Sequence, residues 1–212
     1  MIKELPDLYA RDAKVVWILD SGHGKNTPGK RSPVWNDCSI LMEWAFNREM
    51  SELIHKIGRE NGLRVHLLVQ EDEDIALNLR VDRQKNLSNL IKNDHKTVLI
   101  SNHANAADVE SASGLEVFTS VGETESDKVA DLVLIELFKA FPDVRKRLDT
   151  TDGDMDKEAH FYILKHTSCP AILIEYGFMT NELECKRLMD SNFRETAALA
   201  VVDAMMKYED II

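Results

Sequence analysis

The chain has few cysteines, no long apolar run and no surplus of basic charge, and each shortage removes a class of function. Three cysteines, Cys38, Cys169 and Cys185, are odd in number and irregularly spaced. They build neither a disulfide framework nor a thiolate zinc site, and they read as reduced thiols of a protein made in the cytoplasm. Cys169, just before Pro170, would need a paired base to act as a nucleophile and reads as an inert buried thiol. Residues 1–11 carry acids and a proline but no apolar h-region, so neither a signal peptide nor a membrane span is expected. Action outside the cytoplasm would then follow release by another route. Lysine and arginine total 26 against 37 acids, a net charge of -11. Phosphates would be repelled by such a surface, which argues against a nucleic-acid partner. The one basic cluster, Arg145-Lys146-Arg147, is short, sits beside acids and reads as a solvated face. No internal repeat and no low-complexity tract interrupts the chain.

What is present suits one domain: 212 residues, 44% hydrophobic and 30% charged. Strand-like apolar runs at 14–19, 63–69, 97–102, 114–119 and 171–175 alternate with helical spacing at 39–61, 77–91 and 125–141. Ser39 is a plausible N-cap of the first helix and Gly62 its stop, while Pro142 closes the third. A short helix at 161–165 precedes the last strand, and helices at 181–189 and 193–208 finish the chain. This order predicts an α/β fold, a mostly parallel, helix-covered sheet. Residues 143–157 read as an irregular surface segment. The Gly/Pro/Ser-rich stretch 21–33 is too long for a mere connection, and loops of that kind often carry function.

Three strand-like runs end in a chemically capable residue. Residues 15–19 lead into Asp20-Ser21-Gly22-His23-Gly24, residues 97–100 into Ser101-Asn102-His103-Ala104-Asn105-Ala106, and residues 171–174 into Glu175. Ligands of open α/β sheets gather outside the carboxyl ends of strands, so these residues can converge although far apart in sequence. Either histidine alone reads most simply as a core or capping residue; the three strand ends together point to chemistry. Two imidazoles and a carboxylate form a catalytic zinc set with a fourth position left for water. His23, Glu43 and His103 fill it, with Glu49 and Glu52 competing for the carboxylate on composition alone. Such an ion supplies a hydroxide nucleophile near neutral pH. A further carboxylate must then move the proton, and Glu175, ending a very apolar run, is placed for that role. Its alternative is a strand-end carboxylate paired with a lysine or arginine. Asn47 falls on the same helical face as Glu43, where it can support the ligand.

His55, His66 and His95 read as packing or surface residues. His160 and His166 flank residues 161–164 and are candidates to approach a substrate groove. The acidic stretch Thr151-Asp152-Gly153-Asp154-Met155-Asp156 has alternating aspartates but lacks the spaced glycine and terminal glutamate of an EF-hand, and it reads as a solvated loop.

Four segments together resemble a known family. Asp20-Ser21-Gly22-His23-Gly24, Glu43-Trp44-Ala45-Phe46-Asn47, Ser101-Asn102-His103-Ala104-Asn105-Ala106, and the run from Pro170 through Glu175-Tyr176-Gly177-Phe178-Met179-Thr180 to Asn181 look like the signature blocks of the zinc-dependent N-acetylmuramoyl-L-alanine amidases of the amidase-3 family. The likeness covers about 14–207, with the blocks in order. Ser21 and Lys25 stand where the family often has proline and a second glycine, and Met42 and Trp44 flank Glu43 where its members are more polar.

The resemblance implies one Zn2+ per chain on His23, Glu43 and His103, Glu175 as the catalytic carboxylate, and a twisted mixed sheet of about six strands with helices on both faces, phosphorylase/hydrolase-like. The substrate would be peptidoglycan or a muropeptide, cut at the amide between N-acetylmuramic acid and L-alanine of the stem peptide. A single catalytic domain with its core at about 14–208, and no separate wall-binding domain, resembles a phage endolysin released through a membrane pore; a sporulation or autolytic amidase is the alternative. Two other classes compete. A zinc carboxypeptidase-like enzyme would need a guanidinium, such as Arg80 or Arg83, for a terminal carboxylate. A silent wall-binding module would not need the full set of site residues.

Overall fold

The computed structural model describes residues 13–91, 95–151 and 153–212. The leader-free reading of residues 1–11, Asn93 and Asp94 beside His95, and Asp152 of the acidic stretch lie outside them. Strand β1 (Val15–Ser21) is buried along its whole length, because it is flanked by β2 (Arg64–Leu67) and β3 (Lys96–Asn105), both parallel to it. The sheet continues through β6 (Ala171–Phe178), β4 (Glu116–Thr119) and β5 (Lys157–Glu158), giving the order β2-β1-β3-β6-β4-β5. Among the sheet's strand pairs in the described residues, only β6–β4 is antiparallel. The sheet is therefore mixed and mostly parallel, with six strands as expected.

Helices cover both faces, which is why the strands read as continuous apolar runs rather than alternating ones. Val15, Trp17 and Leu19 pack with α1 (Glu43–Glu60), α3 (Glu125–Ala140) and α6 (Ser191–Ile211). Val16 and Ile18 face the other way, onto α2 (Leu77–Ile91) and α4 (Tyr162–His166). Helix α5 (Glu182–Met189) joins α6 through Asp190, which ends one and caps the next by accepting from Asn192 N at 2.9 Å.

Three boundaries differ from expectation for identifiable reasons. Ser39 does not cap α1. Arg31 bridges Met42 antiparallel, and Leu41 donates to Ser32 Oγ at 2.9 Å, so this stretch is held extended and the helix begins at Glu43. Strand β3 runs on to Asn105 because its ladder with β6 continues past His103, with a register shift between His103 and Asn105. The segment 143–157, read as irregular, contributes the start of β5.

Candidate metal centre

Strands β1, β3 and β6 lie side by side and parallel, so their carboxyl ends open at one edge of the sheet. His103 is in register with Glu175, and Glu175 with Glu116 on β4. In-register neighbours share a face, so these three side chains form a row on the face that Leu99 and Leu173 present to α2 and α4. His103 therefore sits inside a strand, held rigidly.

His23 arrives differently. It follows Gly22 at the end of β1 in the left-handed region, φ 60, which a side-chain-bearing residue adopts only where its surroundings hold it. Two guanidiniums do so: the His23 carbonyl accepts from Arg48 Nη1 at 2.9 Å and Arg80 Nη2 at 3.3 Å. Arg80 is itself anchored by a 2.8 Å pair to Asp20, both side chains 2% exposed. Arg48 lies over the Trp44 ring at 5.4 Å. Glu43, the first residue of α1, is buried, and its backbone N–H donates to Lys30 O at 3.1 Å. One turn later Asn47 Nδ2 donates to Gly22 O at 3.0 Å, tying the helix to the turn that carries His23. A buried polar network beneath the site links Ser21 Oγ and Asn102 Nδ2 to Ser51 Oγ, each at 2.9 Å, and Tyr176 OH to Asn102 Oδ1 at 2.9 Å. Such groups are tolerated in a core because they satisfy one another.

The centre itself is compact. Glu43 Oε1 lies 3.0 Å from His103 Nδ1 and 3.3 Å from His23 Nε2, and the two imidazoles meet edge to face with centroids 5.1 Å apart. The three candidate ligand atoms lie within 4.8 Å of one another, a set able to hold a metal ion. Tetrahedral zinc with bonds of about 2.0–2.2 Å spaces neighbouring ligand atoms by roughly 3.3–3.6 Å, close to the two distances from Glu43. Burial opposes the charge on Glu43, but hydrogen bonds from His103 and His23 outweigh it and hold the carboxyl down at about 2.

Glu175 has the opposite character. Burial first, then the negative charges of Glu43 and Glu116, push its pKa well above the usual carboxylate range, with Lys30 pulling back. Its Oε2 is shielded from solvent and takes no hydrogen bond from the protein. Among the described residues no lysine or arginine forms a salt bridge with Glu175. Glu116 is paired instead, accepting from Asn105 Nδ2 at 2.6 Å, Arg147 Nε at 2.7 Å and Lys157 Nζ at 2.6 Å.

The competing candidates fall away from the centre. Glu49 pairs with Arg194 at 2.9 Å and Glu52 is exposed. His160 and His166 are exposed and outside the cluster, His166 stacking on Tyr162 at 4.2 Å. Arg83 is committed to Glu71 at 2.6 Å, and Arg80 to Asp20 and Asp74. Burial pushes the Cys169 thiol up to about 12, consistent with an inert sulfur. Two readings need correction. Arg147 is not part of a solvated basic face, since it turns inward to Glu116 and lies over Phe178 at 5.0 Å. Asp156 of the acidic stretch is only 2% exposed, not solvated. Glu116 and Ser51 carried no signal in the sequence, because one is an ordinary strand residue and the other an ordinary helix residue.

A family model for N-acetylmuramoyl-L-alanine amidase (Amidase_3) matches residues 18–207. The chain is similar to the N-acetylmuramoyl-L-alanine amidase LytC of Bacillus subtilis, 25% identical over 193 residues, and spans 90% of itself but 35% of that amidase's length. It is also similar to the Bacillus subtilis protein YqiI, 29% identical, covering 94% of this chain and 86% of that one. Among solved structures, an N-acetylmuramoyl-L-alanine amidase of Clostridium difficile 630 superposes with a TM-score of 0.78 at 26% identity, covering 94% of this chain and 98% of that chain.

Proposed function

The chain belongs to the N-acetylmuramoyl-L-alanine amidase family, and we propose that it hydrolyses the amide joining the lactyl group of N-acetylmuramic acid to L-alanine in peptidoglycan, using one zinc ion held by His23, Glu43 and His103. The observation that carries this reading is the pairing of that compact donor set with Glu175, a half-buried residue whose Oε2 is shielded from solvent and takes no hydrogen bond among the described residues. Two imidazoles and a carboxylate are the donor chemistry of catalytic zinc rather than of calcium or magnesium, which take oxygen. Zinc held by these residues would supply a water of lowered pKa and a Lewis acid for the scissile carbonyl.

The chain's own residues supply the rest. Glu175, desolvated and flanked by negative charge, accepts the proton of the attacking water and hands it to the leaving amine of L-alanine. General acid/base chemistry wants a group whose pKa approaches the operating pH, and burial moves Glu175 in that direction. Arg48 and Arg80 fix the His23 turn, and Asn47 fixes the turn against the helix bearing Glu43, so the donors are oriented before substrate arrives. The carboxypeptidase-like reading loses support because Arg80 and Arg83 are both engaged internally. No helix of the described residues is long and apolar enough to cross a membrane. The wall is the proposed site of action, reached by release at host lysis or in a sporulation or autolytic setting.

Elemental analysis of the purified chain tests the ligand set. Wild type should carry about one zinc, and His103→Ala should lose most of it together with measurable hydrolysis. Glu43→Gln should weaken binding while Glu49→Gln should not. Full zinc occupancy in His103→Ala would overturn the assignment.

A further inference from the structure

A second group of carboxylates lies apart from the histidines, where the loop entering β5 meets the first turns of α3. We propose that Asp127, Asp154 and Asp156 form a separate calcium site. Their candidate ligand atoms lie within 4.8 Å of one another. Oxygens on opposite sides of a calcium ion, bound at about 2.3–2.6 Å, are roughly 4.6–5.2 Å apart, so one ion can reach all three.

The observation that points to a ligand, rather than to a mere acidic patch, is Asp156. It is 2% exposed. Its Oδ2 accepts from Thr119 Oγ1 at 2.7 Å, while its Oδ1 is shielded from solvent and takes no hydrogen bond. A buried carboxylate oxygen facing neither donor nor water costs free energy unless a cation satisfies it. Burial first, and then the negative charges of Asp154, Asp127 and Asp131, hold the Asp156 carboxyl up at about 7 against the opposing hydrogen bond from Thr119. Asp131, one turn along α3 from Asp127, accepts from Met155 N at 3.1 Å and so fastens the loop beside the group. Among the described residues, no lysine or arginine pairs with Asp127, Asp131 or Asp156. The basic residues next in sequence are committed elsewhere, Lys128 to Glu125 at 2.6 Å and Lys157 to Glu116 at 2.6 Å.

The donors are all oxygens, which selects a hard cation over zinc, and their number leaves room for the further carbonyl or water ligands that calcium takes. Two charges on the ion offset two of the three carboxylates and so relieve most of their mutual repulsion. Asp156 directly precedes Lys157, whose ammonium neutralises Glu116 beside Glu175. Calcium at Asp156 therefore steadies the strand that carries a cation toward the catalytic row.

Calcium chloride titrated into the zinc-loaded full chain, followed by calorimetry and thermal unfolding, tests the site. One calcium should bind per chain with a dissociation constant of about 1 mM or below, raising the melting temperature by a few degrees. Asp156→Asn and Asp154→Asn should each weaken calcium binding at least about tenfold. His103→Ala should retain it. Without calcium, Asp156→Asn should melt at or above wild type, since a repelled charge is gone, which separates loss of the site from loss of the fold. A wild type indifferent to calcium up to about 10 mM, calcium binding that disappears in His103→Ala, or an equal response to magnesium would overturn the proposal.

Discussion

The backbone of Gly22 lies directly against the imidazole of His103. A Cβ at Gly22 would fall 2.0 Å from His103 Cε1 and 2.4 Å from Nε2. The backbone cannot retreat, because Gly22 N donates to Asn102 O at 3.3 Å and Gly22 O accepts from Asn47 Nδ2 at 3.0 Å. The glycine is there so that two strand ends can bring their histidines to one carboxylate.

Gly22→Ala should therefore push the His103 ring off its position while leaving the sheet intact. Displacements of this size in a catalytic constellation cost roughly 10²-fold in rate, and zinc affinity should fall with it. Zinc-binding isotherms and turnover on purified sacculi check both. Wild-type affinity and rate in the alanine variant would mean that the approach is not functionally constraining.

Glu175→Gln separates metal binding from proton transfer. The substitution keeps the shape and removes the base, so zinc content should stay at wild-type level while turnover falls by about 10²–10⁴-fold. A metal-loaded variant with near wild-type turnover would remove Glu175 from the mechanism.

The acid side of the pH profile reports the same residue. The free carboxyl of Glu175 has a raised pKa, first from burial and then from Glu43 and Glu116, and only its ionised form can accept a proton. Activity should accordingly fall as pH drops through that pKa. Glu116→Gln removes one of the raising charges and frees Arg147 and Lys157 from their partner. Both changes favour ionised Glu175, so the acid limb of kcat/KM should move to lower pH. A limb that stays put, or moves to higher pH, would show that Glu116 does not act on Glu175 electrostatically.

Much of this arrangement was legible in the sequence because strands and metal ligands leave strong local marks. A buried parallel strand is a continuous apolar run, and the polar residue that interrupts it, His103 in β3 and Glu175 in β6, marks where the strand nears its carboxyl end, although the ladders carry both strands on to Asn105 and Phe178. The donors His23 and His103 could be named for that reason, while Glu43, at a helix start with Glu49 and Glu52 as competitors, was singled out by the likeness of its segment to a family block, and Asn47 by helical spacing. What was hidden depends on pairing across the sheet. Glu116 looks like any strand residue until β4 places it opposite Glu175. The burial of Arg80 with Asp20, 60 residues apart, comes from packing that no local pattern encodes. Ser39 misled because a cap-type residue was drawn into the extended stretch ending at Met42, where the bridge to Arg31 overrode its preference for a helix start. Asp156 misled in the other direction, since an acidic, glycine-containing stretch gives no sign that one of its carboxylates faces inward.

The bond cleaved is the most direct test of the proposed reaction. Purified sacculi digested with zinc-loaded protein, and with chelator-treated protein as control, should be separated and the products identified by mass spectrometry. Zinc-dependent release of stem peptides with a free L-alanine amino group is expected, with glycan strands left intact and no new reducing ends. New reducing ends, or cuts within the stem peptide, would contradict the proposed reaction.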